Sequence, residues 1–197
     1  MKKRIISVIL AALMALSLCA CGASGGGHYR VVKKIADQEY SIGFRSGDSS
    51  CYYVDAALKE LSYEGVIDDL AREWFGDSGA VDFPKKKNAL DKMGYIEPRS
   101  FNIGIDLNSY PMCYQLGSSY TGFDVEICKA ACEKLGWQFE VFGVNWDEKL
   151  IQLDADECDC VWSGMTILDS MKEAGYVISA PYYDNAQVIM VKEGSDI

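Results

Sequence analysis

The residues of this sequence that could take part in the most kinds of chemistry are its cysteines. Two of the eight end an N-terminal apolar run, and the other six are Cys51, Cys113, Cys128, Cys132, Cys158 and Cys160. An even number of cysteines in an exported chain favours disulfides. Cys128 and Cys132, however, are one helical turn apart, and this spacing suits a disulfide poorly. Cys158 and Cys160 would lie on one face of a strand, with the same result. We predict that most are small buried apolar side chains, with disulfides as the alternative.

Metal and catalytic sites are poorly supported by the sequence. The acidic residues Asp154, Asp156, Glu157 and Asp159 are too irregularly spaced for an EF-hand loop, so a solvated turn is favoured. There is no C-x-x-C, and His28 is the only histidine, which disfavours zinc. No G-x-S-x-G elbow, P-loop or H-E-x-x-H occurs. We therefore predict no metal, no cofactor and no catalytic residues. An enzyme, such as a small dehydratase, is the weakest hypothesis.

The N-terminus has the layout of a secretory signal. A basic cluster at residues 2–4 precedes the apolar run Ile5–Ala20, which gives the n-region and h-region of such a segment. The run has 16 residues, fewer than the roughly 20 that a spanning helix needs. A retained membrane anchor is the alternative. We predict that residues 1–20 are a signal peptide.

The stretch that follows the run suggests how the exported chain is held. Leu18-Cys19-Ala20-Cys21 resembles the lipobox of bacterial lipoproteins, in which the signal is cut before a cysteine that carries lipid. Residues 22–27 are GASGGG, a composition typical of flexible linkers. We predict a lipid on Cys21, a flexible tether at 21–39, and a location on the outer face of the cell membrane.

Length and charge limit the classes of function. Without residues 1–20, the 197-residue chain keeps 177 residues, enough for one domain with a proper core. The net charge is −10, to which the first 20 residues contribute +3, so the remainder is strongly acidic. Nucleic-acid binding requires a basic surface, and we exclude it as a function.

Hydrophobic periodicity predicts the elements that would position a site. The first half predicts a strand at 40–45, helices at 52–62 and 66–75, and a linker at 77–99 with a helical turn near 89–93. The second half predicts strands at 101–107, 137–144, 158–162, 176–178 and 186–191, and helical segments at 122–135, 147–153 and 168–173. Alternating strands and helices favour βαβ units with a largely parallel sheet, and hence an α/β fold.

Several short motifs in the second half occur in an order that resembles one family. They are Gly104-Ile105-Asp106, Tyr110-Pro111, Gly122-Phe123-Asp124-Val125, Leu135-Gly136, Trp146, Asp159, Gly164-Met165-Thr166-Ile167 and Ser179-Ala180-Pro181-Tyr182-Tyr183. Together they are similar to the type 3 extracellular solute-binding proteins, which deliver polar amino acids to ABC importers. The resemblance implies a type II periplasmic-binding-protein-like fold.

The order of the segments departs from that family. Residues 40–76 resemble the C-terminal end of the family, yet they precede the N-terminal-like segment 101–197. The resemblance therefore implies a circular permutation, with 77–100 as the linker between the old ends. It also implies one α/β lobe at 40–197, because most of the second lobe has no counterpart in this sequence.

The resemblance implies a set of ligand-binding residues. Asp106 matches the acid that meets an α-ammonium group, with a loop cap as the alternative role. Trp146 matches an aromatic that packs on the ligand, with a core position as the alternative. Ser163, Gly164 and Thr166 match the loop that reaches the ligand, since glycine permits close approach of the backbone.

Two family positions are not matched. The arginine that would clamp a ligand carboxylate falls at Met171, and the adjacent Lys172 is expected to point elsewhere. A usually aromatic position falls at Ser109, for which Tyr110 is expected to compensate. Lysine is a point charge and not a planar fork, so the sequence argues against tight binding of an amino acid.

We therefore expect the solute-binding component of an amino-acid ABC importer, anchored to the membrane, with a small polar amino acid-like ligand. Its expected partners are the permease subunits and a second chain that supplies the other lobe. The alternative is a degenerate or truncated surface module of the same fold that takes no part in transport.

Overall fold

The computed structural model of the protein describes residues 28–81 and 83–196. The predicted signal peptide, Cys21 and residues 22–27 lie outside them. The helices are α1 (Ser50–Glu64), α2 (Val66–Phe75), α3 (Phe123–Leu135), α4 (Lys149–Asp154) and α5 (Asp169–Glu173), with 3-10 turns at Leu90–Lys92 and Trp146–Glu148. The strands are β1 (Tyr29–Phe44), β2 (Ser100–Ile105), β3 (Asn108–Ser109), β4 (Cys113–Leu116), β5 (Ser119–Thr121), β6 (Gln138–Gly143), β7 (Cys160–Thr166), β8 (Val177–Ile178) and β9 (Tyr183–Lys192).

The main sheet has a parallel centre. Its strand order is β6-β2-β7-β1-β8, and β9 also pairs with β1. Strand β2 is parallel to both β6 and β7, whereas β1 is antiparallel to β7 and β8. The parallel strands place their carboxyl ends at one edge of the sheet, where ligands of open α/β sheets commonly bind.

Apolar side chains cover both faces of β7. Cys160 and Trp162 join the larger core, which also contains the buried faces of α1, α2 and α3. Val161 and Met165 join a second core on the other face, to which α4 and α5 contribute. Successive strand residues point to opposite faces, so this alternation requires helices on both sides. The predicted α/β class, with a sheet flanked by helices, is confirmed.

The boundaries of the helices follow from glycine. Gly65 lies between α1 and α2 with φ +84°, in the left-handed region that glycine enters without strain. Its amide donates to the carbonyls of Leu61 and Ser62, which end α1. The helices and their break were predicted at nearly these positions, because the apolar stripe and the glycine are both local signals.

The first strand extends further than the sequence indicates. Residues 29–39 were predicted as part of the flexible tether, and this is wrong, because they form the first part of β1. Their side chains are mostly exposed, so no apolar alternation marks the strand. Its partner β9 lies about 150 residues later, and a pairing at that distance leaves no local signal.

The contacts divide the described chain into two compact units. One comprises residues 36–187 and contains the helices and both cores. The other consists of residues 28–35 and 188–196, where the Glu193 amide donates to the His28 carbonyl at 2.7 Å and Arg30 donates to the Ser195 carbonyl at 3.3 Å.

The segment between α2 and β2 is irregular but packed. Phe83 is buried, and its carbonyl accepts a hydrogen bond from the Ser62 hydroxyl of α1 at 3.1 Å. The Lys86 amide donates to the Lys59 carbonyl at 3.0 Å. The predicted linker is thus fixed along α1, and its predicted helical turn is the short 3-10 turn at Leu90–Lys92.

All six cysteines of the described chain are buried, as was predicted for most of them, and each is a free thiol. Among residues 28–81 and 83–196, no group of three histidine, cysteine, aspartate or glutamate side chains could hold a metal ion. Within the same residues, no helix has the length and apolar character needed to cross a membrane.

Candidate functional site

The carboxyl ends of β2 and β7 bring several predicted ligand residues to one edge of the sheet. Asp106 follows β2 directly, and Ser163 lies in the adjacent β7. The Ser163 hydroxyl donates to the Asp106 carbonyl at 3.5 Å. Sequence reasoning placed these two residues in one site, and the parallel pairing of β2 and β7 explains why they meet.

Asp106 closes the turn after β2. Its Oδ1 accepts the Asn108 amide at 2.9 Å, and its carbonyl accepts the Ser109 amide at 3.4 Å. This is the Asx-turn arrangement typical of aspartate. The loop-cap role is therefore present, and a contact with a ligand ammonium remains a prediction.

Gly164 makes a constrained backbone turn within β7, two residues before the strand ends. Its φ is +54°, and a Cβ placed on it would lie 3.1 Å from Cε2 of Tyr40. Its amide donates to Oδ2 of Asp124 at 2.9 Å and contacts the Tyr182 hydroxyl at 3.3 Å. Glycine is required here for the close approach of the Tyr40 ring, and the Gly164 amide already has protein acceptors.

Asp124 lies in one of the family-like motifs, but the sequence analysis predicted no role for it. It is 1% exposed and lies in the first turn of α3. Burial raises the pKa of its carboxyl to about 7, against the opposing effect of hydrogen bonds from Tyr182 and Gly164. The signal that could have identified it is a charged residue inside an otherwise apolar helix stripe.

An open cavity of about 440 Å³ lies beside Thr166. Its polar lining comes from β1, the end of β7, α5 and the segment after β8, and consists of Asp37, Gln38, Glu39, Ser41, Thr166, Lys172 and Ser179. Lys172 brings a positive charge to the lining, and Asp37 and Glu39 bring negative charge. The cavity thus has both signs of charge together with hydroxyl groups.

Of the six predicted ligand residues, Thr166 alone lines this cavity. Tyr110 is 74% exposed, and its ring meets the Tyr114 ring edge-on at 5.1 Å. Trp146 packs against the second core and carries the Lys149 ammonium 4.8 Å from its ring centroid. The core role for Trp146, which the sequence left open, is the one that its contacts favour.

Two neighbouring residues of α5, Met171 and Lys172, point in different directions. Met171 is 4% exposed and belongs to the second core, so no polar group occupies the position of the family arginine. Lys172 was expected to point away from the direction of residue 171, and it does so, because it lines the cavity with Thr166. Neighbouring residues of a helix are separated by about 100°, so Met171 faces the core and Lys172 does not.

Comparisons with known proteins concern mainly the second half of the chain. Residues 101–197 match the family "Bacterial extracellular solute-binding proteins, family 3". The arginine-binding extracellular protein ArtP of Bacillus subtilis (strain 168) is 32% identical over 95 residues, which are 48% of this chain and 37% of that protein. This chain spans little more than a third of the length of the curated relatives that it matches.

Two solved structures are similar over a shorter part. A polar amino acid ABC uptake transporter substrate-binding protein from Streptococcus thermophilus is 31% identical, with 38% of this chain and 28% of that chain covered and a TM-score of 0.36. An ancestral cyclohexadienyl dehydratase is 25% identical, with 38% and 31% covered and a TM-score of 0.36.

The segment matched by the family contains β2, β7, Asp106, Asp124, Thr166 and the edge of the sheet at which they lie. Through residues 101–197, this chain is similar to family 3 of the bacterial extracellular solute-binding proteins.

Proposed function

We propose that the protein is the exported solute-binding component of an ABC importer and binds a small polar amino acid-like ligand at the cavity beside Thr166. The observation that carries this proposal is the family match over residues 101–197, within which Thr166 and Lys172 line one cavity. Two curated relatives of this chain are named as binding proteins. That this chain has no enzymatic activity remains a prediction.

The lining of the cavity suits a zwitterion. A free amino acid presents a carboxylate, which binds best to a cation and hydroxyl donors, and an ammonium group, which binds best to carboxylates. In this cavity, Lys172 and Thr166 would meet the ligand carboxylate. Glu39 and Asp37 would meet the ligand ammonium group. We propose Lys172 as the contact for the ligand carboxylate in place of the arginine expected at position 171. The proposed contacts of Asp106, Tyr110, Trp146, Ser163 and Gly164 with the ligand would extend from the same edge of the sheet.

The ligand hypothesis is tested by calorimetry with the twenty amino acids on wild-type protein and on Lys172→Gln. We expect heat with at least one amino acid and a loss of affinity of roughly 10-fold or more in the variant, because a charge-assisted hydrogen bond is removed. Lys129→Gln, on the exposed side of α3, is the matched control. No heat from correctly folded wild-type protein, with or without the products of neighbouring genes, would rule the proposal out.

We also propose that a lipid on Cys21 holds the protein on the outer face of the cell membrane. The basic residues 2–4, the apolar run to Ala20 and the lipobox-like sequence support this. A single acyl chain binds membranes only marginally, whereas two or more hold a protein firmly. Cys21→Ser is expected to abolish labelling by radioactive palmitate and to release the protein from the membrane fraction. Labelling that persists in this variant would contradict the anchor.

The proposed permutation makes residues 40–76 the C-terminal-like and 101–197 the N-terminal-like part of one lobe. In support, β1 pairs with β7, and α1 and α2 share the larger core with α3. We propose that a second chain supplies the other lobe and that permease subunits receive the ligand. Co-purification of the native protein with the products of adjacent transporter genes tests both partners.

A second candidate function has its own observation in favour. The burial of Met171 in the second core leaves the position of the family arginine without a charge, which fits a surface module of the same fold that takes no part in transport. Genes for an importer beside the coding sequence would count against this candidate, as would the binding of any amino acid by the wild-type protein.

A further inference from the structure

Beneath the Gly164 turn lies a carboxylate that is almost completely enclosed. Asp124 is 1% exposed. Its Oδ2 accepts the Gly164 amide at 2.9 Å, and it is hydrogen-bonded to the hydroxyl of Tyr182, which is itself 1% exposed. Its Oδ1 has no hydrogen-bond partner among the described residues. A buried carboxylate that accepts few hydrogen bonds is strongly disfavoured in its ionised form.

The titratable groups around Asp124 come from every element that surrounds it. Tyr182 lies in the segment before β9, and Cys113 in β4, Tyr40 in β1, Tyr183 in β9 and Cys128 in α3 itself are close enough to feel its charge. All of these are neutral when protonated, and no cation contributes to the pKa of Asp124. Burial therefore dominates, and the pKa of its carboxyl rises to about 7.

The hydrogen bond from Gly164 connects this carboxylate to the cavity. The Tyr40 ring lies against Gly164, and Tyr40 is the partner of Thr166 in the pairing of β1 with β7. Thr166 lines the cavity. Thr166 follows Gly164 by two residues in β7, so we expect a change at Gly164 to move the Thr166 hydroxyl.

We propose that Asp124 is a positioning residue for the cavity: its ionised carboxylate holds the Gly164 turn, and its protonation releases that hold. As far as it concerns ligand affinity, this inference rests on the proposed function.

The chemistry of a carboxyl group gives the direction of the effect. The ionised carboxylate accepts hydrogen bonds from both the Gly164 amide and the Tyr182 hydroxyl, and such charge-assisted bonds are about twice as strong as neutral ones. Protonation, for which the unpartnered Oδ1 is available, removes the negative charge. The bonds from the Gly164 amide and the Tyr182 hydroxyl then lose their charge assistance.

The test follows the Gly164 amide by ¹⁵N NMR from pH 5 to 9 in the full chain, in wild type and in Asp124→Asn. Asparagine has the same shape and keeps a carbonyl acceptor, but it does not titrate. The Gly164 signal should titrate in wild type and stay constant in the variant. The ¹³Cγ signal of Asp124 in wild type should move with the same midpoint, and this measurement requires no variant.

Calorimetry over pH 5.5–8 with the twenty amino acids completes the test. Affinity in wild type should fall about 10-fold toward pH 5.5 if the coupling is about one pKa unit, and it should be independent of pH in Asp124→Asn. A Gly164 signal that does not titrate with Asp124 overturns the inference, as does binding with the same pH profile in both proteins. Titration of Gly164 without binding of any amino acid at any pH overturns the proposed function alone.

Discussion

Single residues near the end of β7 make close contacts beside the candidate site. Gly164 allows the Tyr40 ring to approach the backbone, and Asp124 accepts a hydrogen bond from the Gly164 amide. The sequence singled out Gly164 for a close approach by a ligand. The structure shows that a protein ring makes this approach, a contact between residues 124 positions apart in the chain that no local pattern encodes.

Replacement of Gly164 by alanine should destabilise the protein more than the same change at Gly47. Both glycines have positive φ, +54° and +74°, which costs a residue with a Cβ about 1–2 kcal/mol. At Gly164 the new methyl group would also meet the Tyr40 ring, whereas nothing lies within 4 Å at Gly47. Urea denaturation of both variants measures the difference. Equal losses would show that the Tyr40 contact adds nothing.

Asp124 should make the stability of the protein fall as pH rises. The pKa of its carboxyl is raised from 3.8 to about 7, so between these values the native state holds a proton that the unfolded chain has lost. The stabilising effect is complete below pH 3.8 and disappears as pH passes through 7, with a total of about 4 kcal/mol. The measurement is the free energy of unfolding from pH 4 to 8.

Asp124→Asn should remove this slope and be more stable than wild type at pH 8, because no buried charge forms. The exposed Asp91→Asn serves as the matched control and should keep the wild-type profile. A variant at position 124 that retains the wild-type slope would show that another group titrates.

Among the elements, α5 supplies the lysine that lines the cavity. It is five residues long, and its rotation places Met171 in the second core and Lys172 at the cavity. Periodicity predicted a helical turn here. It could not predict the rotation, because so short a helix carries too few apolar positions to define a stripe.

Restoring arginine at position 171 should destabilise the protein without improving a ligand site. Met171 is 4% exposed, and an unpaired guanidinium in the second core would cost about 3 kcal/mol or more. Leu168→Arg, at a 59% exposed position beside the helix, should change stability by less than about 0.5 kcal/mol. Thermal unfolding and calorimetry test this. A stable Met171→Arg protein with higher affinity for an amino acid would contradict the orientation of α5.

The whole molecule joins two sequence segments in one core. Strand β1 pairs with β7, and α1 packs with α3, so residues 40–76 and 101–197 contribute to the same sheet and the same apolar interior. The proposed permutation concerns the order of these segments along the chain, whereas the core depends only on their arrangement in space.

Leu58→Ala lies in the segment 40–76. We expect it to destabilise the segment 101–197 as strongly as the segment 40–76. Leu58 is completely buried in α1, and such a truncation costs about 2–5 kcal/mol. Trp162 in β7 is buried in the same core, and its fluorescence should report the lowered midpoint together with circular dichroism. Leu116→Ala, at a 66% exposed position, is the control. A Trp162 transition that keeps the wild-type midpoint would show that the two segments unfold separately.

The sequence by itself determined the α/β class, most helix boundaries, the burial of the cysteines and the similarity of residues 101–197 to one family. These depend on local periodicity, on glycine at helix ends and on short motifs. Only the tertiary structure decided that residues 29–39 form a strand, that Lys172 lines the cavity, and that Asp124 supports Gly164. Each of these depends on contacts between distant parts of the chain, and such contacts follow from packing and not from the types of neighbouring residues.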